Sequence, residues 1–576
     1  MTPLKLVVQS ALAGLYGGTL IALLTAGLRP APPGGGPPAG LAAVVVVYAL
    51  LAALIWPALY GALRFFASRP LHPRWLSGRY LAGFHAANGV VLTGCLWATL
   101  SRYRRVLDAD RVGQLGHACL AMSLAWLVAV VVASVPALRR SSLALGCVVA
   151  TALLVLPFLP RVGDRSTVGG AGRPAGWAPG LAPARQLTLL NFDGAELDQI
   201  LAMQALGKLP AMSRMSEEGG YGRLRSLVPC VAPVTRATLI TGTLPFRHGV
   251  RNDHLRRFAG GGASIDLVPA AIGFDRLMAP FFRAQGLSSS DRRAPALWEI
   301  AQQRGGAGQA AGWDVDPDAA GAATAGEERG GAAAVAQGTG PALMPTELPA
   351  DAARRAILEG ILDPEVLDAR DELTRRLVAE LERAVADDEA VRTRLRREPG
   401  EPATGVLALS FPGIDRVGHA FLRSARPGDF GNVTKREIER FGGVLEGYYR
   451  YIDGIVAEAI DRAAADSTAL LLVTSTHGMK PEPLRRRFFA PGIRGGLRSG
   501  THSDGPDGFL FARGPSVLLG HRFGKGSLAD VTPTALYALG LPVARDLDGG
   551  ILAGLFTERY TFRNPVAVID SYGPRP

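Results

Sequence analysis

Residues 187–200 read LTLLNFDGAELDQI, and the rest of the chain is interpreted from this stretch. The apolar run before Asn191 predicts a buried strand, and the amphipathic residues after Gly194 predict a helix. Glycine at position 194 permits a sharp turn between the two. Asp193 therefore stands at the carboxyl end of a strand, where open α/β sheets place their ligand sites. We interpret Asp193 as a metal ligand, and the alternative is that it caps the following helix.

A second strand end carries a carboxylate and an imidazole. Residues 406–410 predict a strand, and Asp415 and His419 follow it. Their spacing of four residues puts both side chains on one face of a helix. Such a pair suits a hard-to-borderline divalent cation, and the alternative is a surface salt bridge.

Two more histidines lie beside predicted strands. Residues 469–474 predict a strand that leads directly to His477, and His502 precedes a strand at 509–512. Because ligand sites gather at one edge of such a sheet, we expect both imidazoles to lie near Asp415.

The helix that begins near Pro233 is a further candidate element. Residues 235–241 predict a short helix, entered through Pro233 and ended by Gly242. The N–H groups and the dipole at its N-terminus make that end a natural site for an anion.

Composition excludes several classes of protein. The chain has 576 residues, 48% of them hydrophobic, and a net charge of +12 from 62 Lys+Arg against 50 Asp+Glu. No Lys/Arg block with interleaved aromatic residues occurs, so we expect no nucleic-acid partner. Of the four cysteines, only Cys230 lies outside the apolar segments, which argues against a disulfide framework and a cysteine-based zinc site.

The first 160 residues contain five apolar segments separated by arginine clusters. Each is close to the ~20 residues that cross a bilayer as a helix, so we predict a multi-pass membrane region with the lipid bilayer as partner. The first segment has the alternative of a signal peptide. Basic residues are balanced on the two sides, so the positive-inside rule does not choose an orientation. The segments are residues 4–28, 41–63, 80–100, 115–138 and 142–159.

These features divide the chain into three parts. We predict an all-α transmembrane region of about five helices at 1–160, a Gly/Pro linker at 161–184 and an α/β domain at 185–565. A low-complexity insertion interrupts the α/β domain at 319–345. The charged, helix-patterned residues 352–397 predict a solvated helix face rather than a site.

Together the motifs resemble the alkaline phosphatase superfamily, in particular its type I phosphodiesterase/nucleotide pyrophosphatase branch and the related sulfatases. The resemblance covers roughly residues 185–556. It implies a three-layer α/β domain whose central, mostly parallel sheet carries two metals, usually zinc, at the strand ends. The metal ligands that it implies are Asp193, Asp415, His419, His477 and His502.

The chain departs from this family at three positions. Ala232 stands where the family has its nucleophile, so we name Thr235 as the substitute nucleophile, with Cys230 as an alternative. Thr476 stands where the family has an aspartate ligand. Asn252 lies one place from the family's phosphate-holding asparagine, and we expect it to bind substrate.

The retained ligands predict an unequal pair of metal sites. The set Asp415, His419 and His502 is intact and predicts one firm zinc site. The other site keeps only Asp193 and His477, so we expect it to be weak or empty.

The resemblance implies a membrane-anchored, metal-dependent phosphoesterase that hydrolyses phosphate esters. Two alternatives stay open: an inactive pseudoenzyme on the same fold, and a transferase of lipid phospho-headgroups. The membrane layout resembles that of the headgroup transferases, so we expect the C-terminal domain outside the cytoplasm. The sequence indicates no oligomeric state.

Overall fold

The structure is a computed structural model, and it describes residues 3–28, 40–66, 78–104, 106–133, 184, 186–259, 265–271, 273–287, 291–313, 351–369, 371–396, 405–431, 433–482 and 499–573.

The α-helices are α1 (Pro3–Gly27), α2 (Gly40–Phe66), α3 (Gly78–Tyr103), α4 (Ala109–Ala133), α5 (Leu197–Ala205), α6 (Pro210–Glu217), α7 (Ala232–Thr241), α8 (Pro245–His248), α9 (Phe274–Met278), α10 (Leu297–Gln303), α11 (Asp351–Glu359), α12 (Pro364–Leu367), α13 (Glu372–Arg396), α14 (Gly413–Ala425), α15 (Lys435–Phe441), α16 (Val444–Ala464), α17 (Val531–Ala538) and α18 (Glu558–Arg563). The strands are β1 (Gln186–Phe192), β2 (Gly220–Arg225), β3 (His254–Phe258), β4 (Phe282–Gly286), β5 (Ala307–Ala311), β6 (Gly405–Phe411), β7 (Leu470–His477), β8 (Lys480–Pro481), β9 (Gly500–Thr501), β10 (Asp507–Arg513), β11 (His521–Arg522), β12 (Gly526–Ser527), β13 (Val543–Ala544) and β14 (Val568–Ile569).

A mixed sheet forms the centre of the second half of the chain. Its strand order is β11-β2-β10-β7-β1-β6-β5, and β12 pairs with β2 beside this path. Strand β1 lies between β6 and β7 and is parallel to both, whereas β10 is antiparallel to β7 and β2. The predicted α/β domain with a mostly parallel central sheet is therefore confirmed.

Helices cover both faces of this sheet, because residues of β1 alternate between two apolar cores. Leu187 and Leu189 pack in one core with residues of α7, α10 and α17. Leu190 and Phe192 pack in the other core with residues of α6, α13, α14 and α16. A sheet with helices packed on both faces forms the three-layer domain that the sequence predicts.

The turns that end β1 and α7 follow the sequence prediction. Gly194 has φ 85° and Gly242 has φ 68°, both in the left-handed region that glycine favours. Helix α7 begins at Ala232, three residues earlier than predicted, because Pro233 is tolerated in the first turn of a helix.

The described part of the charged segment 352–397 forms helices α11, α12 and α13, but they are not entirely solvated, which corrects the sequence prediction. Asp388 and Glu389 on α13 are buried. Asp388 accepts hydrogen bonds from the Gly413 backbone N–H at 2.9 Å and from the Tyr448 hydroxyl at 2.8 Å. A helix N-terminus and a phenol thus replace the water that this carboxylate loses on burial.

The described chain divides into two compact units. One holds α1–α4 together with residues His254–Gly286, and the other holds the central sheet and its helices. Within the first unit, the Tyr103 hydroxyl donates to the Val268 carbonyl at 2.9 Å, and Ile265 and Leu267 share an apolar core with the N-terminal helices. Residues 254–286 fall within the range predicted for the α/β domain, yet they pack with the N-terminal helices.

Four of the five apolar segments are helical, as predicted, in α1–α4. Their interpretation as transmembrane helices is not supported, because within the described ranges no helix has both the length and the apolar character to cross a membrane. The fifth segment, the linker residues 161–183 and the insertion at 319–345 lie outside the described residues.

Candidate functional site

Three neighbouring strands deliver the candidate residues to one edge of the sheet. Asp193 follows β1, and His477 is the last residue of β7. Strand β6 leads into α14, whose first two turns carry Asp415 and His419. Because β1 is parallel to both β6 and β7, these strand ends meet at the same edge.

Asp415 lies at the centre of three imidazoles. Its Oδ1 lies 3.2 Å from His477 Nε2 and 4.0 Å from His502 Nε2. Its Oδ2 lies 3.6 Å from His419 Nε2. The predicted convergence of these four residues is therefore observed, and the surface salt bridge is excluded as the interpretation of Asp415 and His419.

Backbone carbonyls orient two of the imidazoles. His419 Nδ1 lies 2.7 Å from the Gly500 carbonyl oxygen, and His502 Nδ1 lies 3.3 Å from the Cys230 carbonyl oxygen. A carbonyl oxygen only accepts, so each Nδ1 must carry the proton and donate it. Nε2 is then the nitrogen of each ring that faces Asp415 and that could bind a cation, which is the arrangement of metal-binding histidines.

The electrostatics of the site favour an ionised carboxylate. Burial alone raises the pKa of Asp415, but the His419 and His502 imidazoles outweigh burial and hold that pKa well below its ordinary value. Burial lowers the pKa of His477, but Cys230, Asp415 and Asp193 outweigh it and raise that pKa well above its ordinary value. The pocket thus attracts positive charge.

Two overlapping groups of side chains have the spacing to hold a cation. In each group, one ligand atom per residue lies within 4.8 Å of the others: Asp415, His419 and His502 in one, and Cys230, His477 and His502 in the other. The first offers two nitrogens and a carboxylate oxygen, and the second offers a thiol sulfur, so both suit zinc chemically.

The second group corrects the exclusion of a cysteine-based metal site. Cys230 is buried, and its backbone N–H donates to the Ser503 carbonyl at 2.8 Å, which ties it to the loop that carries His502. One cysteine in a sequence gives no spacing pattern to recognise, and only the fold brings it beside two histidines.

Asp193 occupies a different position in the pocket. It is fully buried, and its Oδ2 accepts from Arg236 Nε at 2.5 Å. Its Oδ1 accepts from the Thr476 hydroxyl at 2.5 Å and from the Thr476 backbone N–H at 3.2 Å. The alternative role as a helix cap is excluded, because the N-cap of α5 is Glu196.

The charge of Asp193 is stabilised by these partners. Burial alone raises its pKa, but the Arg236 guanidinium and His477 outweigh burial and hold the pKa below its ordinary value. Among the described residues, neither group with metal-binding spacing includes Asp193. Its role as a metal ligand therefore stays a prediction.

Arg236 was missed by sequence reasoning. It lies four residues after Ala232 on α7 and so shares its helix face. That spacing is the one signal in the sequence that could have placed its side chain toward the site.

The predicted catalytic and substrate-binding residues are placed as follows. Ala232, which the resemblance assigns to the nucleophile position, is the first residue of α7. Thr235 is fully buried, with Oγ1 3.0 Å from the Ala232 carbonyl oxygen and 3.2 Å from Thr476 Oγ1. Asn252 is half-buried in the bend before β3. The roles of Thr235 and Asn252 stay predictions.

Gly194 sets the distance between β1 and α14. A Cβ atom at this position would lie 2.7 Å from Asp415 Cα, and the backbone N–H donates to the His477 carbonyl at 3.1 Å. The turn after β1 therefore packs directly against the residue at the centre of the imidazoles.

A family model described as type I phosphodiesterase / nucleotide pyrophosphatase matches residues 187–491, more than half of the chain. The matched residues include Asp193, Asp415, His419 and His477, and they end before His502. No curated protein matches the chain.

Proposed function

The chain belongs to the type I phosphodiesterase / nucleotide pyrophosphatase family, and on that basis we propose that it is a metal-dependent phosphoesterase of the alkaline phosphatase superfamily. Its substrate class is a phosphate ester, and zinc is the cation that we assign to the site. Membership of a hydrolase family alone does not make the chain active, so the proposal rests also on the geometry of the site.

The observation that carries the proposal is the convergence on Asp415. Three imidazole nitrogens, from His419, His477 and His502, lie within 4.0 Å of its carboxylate. These residues come from three separate parts of the chain, and α/β folds use this strand edge for ligands. A structural salt bridge would not need three imidazoles whose second nitrogens are already directed elsewhere.

Different residues of the site would bind the cation and the phosphate group of the ester. Asp415, His419 and His502 would hold the cation, which supplies Lewis-acid stabilisation of the charge that develops on the phosphate. His477 borders the same carboxylate and orients it. Helix α7 begins two residues after Cys230, whose carbonyl contacts His502, and the Ala232 backbone N–H at its start would donate to a phosphate oxygen. Pro233 has no N–H, and the Val234 and Thr235 N–H groups donate to the Val231 carbonyl.

A side-chain hydroxyl or a water molecule must attack phosphorus in this site. Ala232 has no hydroxyl, so Thr235 is our candidate nucleophile, and water is the alternative. Replacement Thr235→Ala should abolish hydrolysis if the hydroxyl attacks phosphorus. An unchanged rate would reject Thr235 and leave water as the attacking group. Asn252 is our candidate for holding the phosphate.

The decisive experiment is an assay of the full-length, metal-stripped protein against chromogenic phosphodiesters and monoesters. We expect turnover to return when Zn²⁺ or Mn²⁺ is added, and to be lost in Asp415→Asn and His419→Ala. His521→Ala is the matched control, because His521 lies on β11, which β2 and β10 separate from β7 in the sheet. Turnover that survives in Asp415→Asn would refute the proposed site.

A second candidate function is a metal-binding protein without turnover. It is favoured by Ala232 at the nucleophile position and by Thr476 in place of a carboxylate. Zinc binding that depends on Asp415, together with no hydrolysis of any ester tested, would select this candidate over the enzyme.

We also propose that the N-terminal unit associates with a lipid bilayer and that the catalytic unit lies outside the cytoplasm. The support is a set of exposed apolar side chains on α2 and α4, including Leu50 at 59%, Leu54 at 70% and Leu124 at 61% exposure. The protein should float with lipid vesicles in a density gradient, and protease added to intact cells should cleave the catalytic unit. Protein that stays at the bottom of the gradient would refute the association.

A further inference from the structure

The carboxylate of Asp193 is paired entirely by protein groups. Arg236 Nε contacts one oxygen, and the Thr476 hydroxyl and backbone N–H contact the other. Asp193 is 0% exposed and Arg236 is 4% exposed, so the ion pair is buried. In a buried pocket, an opposite charge within bonding distance is what keeps a carboxylate ionised.

A second metal ion would have to displace this pair. Thr476 offers a neutral hydroxyl, which binds a divalent cation less well than a carboxylate does. A guanidinium stays protonated at any pH the protein experiences, so it does not yield its position by losing a proton. A dication placed beside Asp193 would also meet Arg236 as a like charge in a low-dielectric environment.

The position of Arg236 on α7 holds its side chain in the pocket. It lies on α7, four residues from Ala232, and α7 begins beside the carbonyl of Cys230 that contacts His502. The guanidinium is thus anchored in the same helix whose N-terminus opens on the metal site.

We propose that Arg236 is the resident cation of this half of the site, so that the protein binds one metal ion and not two. The inference rests on the proposed function for the metal held by Asp415, His419 and His502. It adds that the positive charge beside Asp193 belongs to an arginine side chain of the protein, so it is present whether or not metal ions are available. Arg236 is a positioning residue for Asp193 and Thr476.

The test is the metal content of the full-length protein after dialysis against Zn²⁺. We expect one zinc per wild-type chain. We expect two in the double variant Arg236→Met with Thr476→Asp, which removes the guanidinium and adds a carboxylate beside Asp193. Arg292→Met is the matched control, because Arg292 forms another buried pair, with Glu299, and should leave the content at one.

The possible outcomes separate the inference from the proposed function. Two zincs in the wild type would overturn the inference. A folded double variant that holds one zinc would overturn it as well. No zinc in the wild type would refute the proposed function instead.

Two single variants at Arg236 test the inference if the double variant does not fold. Arg236→Lys keeps the charge and should hold one zinc, and two zincs there would contradict the role of Arg236. Arg236→Met should melt at a lower temperature than wild type and recover with added Zn²⁺ by a larger shift than Arg292→Met. Equal shifts in the two variants would overturn the inference.

Discussion

Gly194 meets two structural demands, a left-handed backbone and a close approach to Asp415. Its φ is 85°, and an added Cβ would lie 2.7 Å from Asp415 Cα. Gly207 has a similar φ of 69° but open space around it, so it serves as a control. Gly194→Ala should lower the free energy of unfolding by about 1–3 kcal/mol from backbone strain alone, and should also weaken zinc binding. Gly207→Ala should lower the free energy of unfolding through backbone strain and leave zinc binding unchanged.

Denaturant titration and zinc calorimetry on both variants separate these effects. Equal zinc affinity in the two variants would mean that the turn after β1 does not position Asp415.

Cys230 and His419 each belong to only one of the two metal-binding groups, so their variants tell the groups apart. We expect His419→Ala to weaken zinc binding by more than the about 10–100-fold that losing an outer-shell partner costs. We expect Cys230→Ser to keep one zinc per chain with a smaller loss of affinity. The reverse order, measured by competition with a zinc chelator, would assign the cation to the group that contains Cys230.

At the level of elements, the N-terminus of α14 depends on a carboxyl from α13. Burial raises the pKa of Asp388 to about 7 from 3.8, although the Gly413 N–H and the Tyr448 hydroxyl lower it. The folded protein therefore binds this proton more tightly than the unfolded chain does. The resulting stability is present below pH ~4 and is lost as the pH rises through about 7.

The raised pKa of Asp388 also sets the size of the expected change in the free energy of unfolding. Between pH 5 and 8, wild type should lose about 2–3 kcal/mol of unfolding free energy that Asp388→Asn does not lose. Metal-free protein is required, so that the site histidines contribute equally to both. Glu380→Gln is the control, because Glu380 lies on the same helix, pairs with Arg383 and should leave the wild-type pH dependence in place. Parallel pH curves for wild type and Asp388→Asn would contradict the shifted pKa.

Local sequence patterns predict the strands and helices of the site better than they predict which side chains contact one another there. Strand β1, the turn at Gly194 and helix α14 follow from periodicity, because apolar spacing and glycine act over a few neighbouring residues. Arg236 and Cys230 were not predicted as contacts, because their partners lie more than 40 and 240 residues away. Burial of Asp388 was also missed, since a charged helical pattern does not reveal which carboxylate faces a helix N-terminus.

At the scale of the whole molecule, every candidate metal ligand lies in the unit built on the central sheet. A ligand that binds only the folded state at 100 times its Kd stabilises that state by about 2.7 kcal/mol. Zinc should therefore slow hydrogen exchange in β1, β6 and β7 and leave α1–α4 unchanged. His502→Ala should remove the effect, because His502 belongs to both groups. Slower exchange in α1–α4 alone would place zinc outside the site.

The place of β1 between β6 and β7 has a consequence for biosynthesis. Ribosomes release the chain from its amino end at about 5–20 residues per second. Strand β1 ends at Phe192 and its first parallel neighbour begins at Gly405. Strand β1 must then wait about 10–40 s before either of its parallel neighbours is synthesised. A nascent polypeptide in that condition is a natural client for chaperones, and slow codons after residue 192 would prolong its exposure.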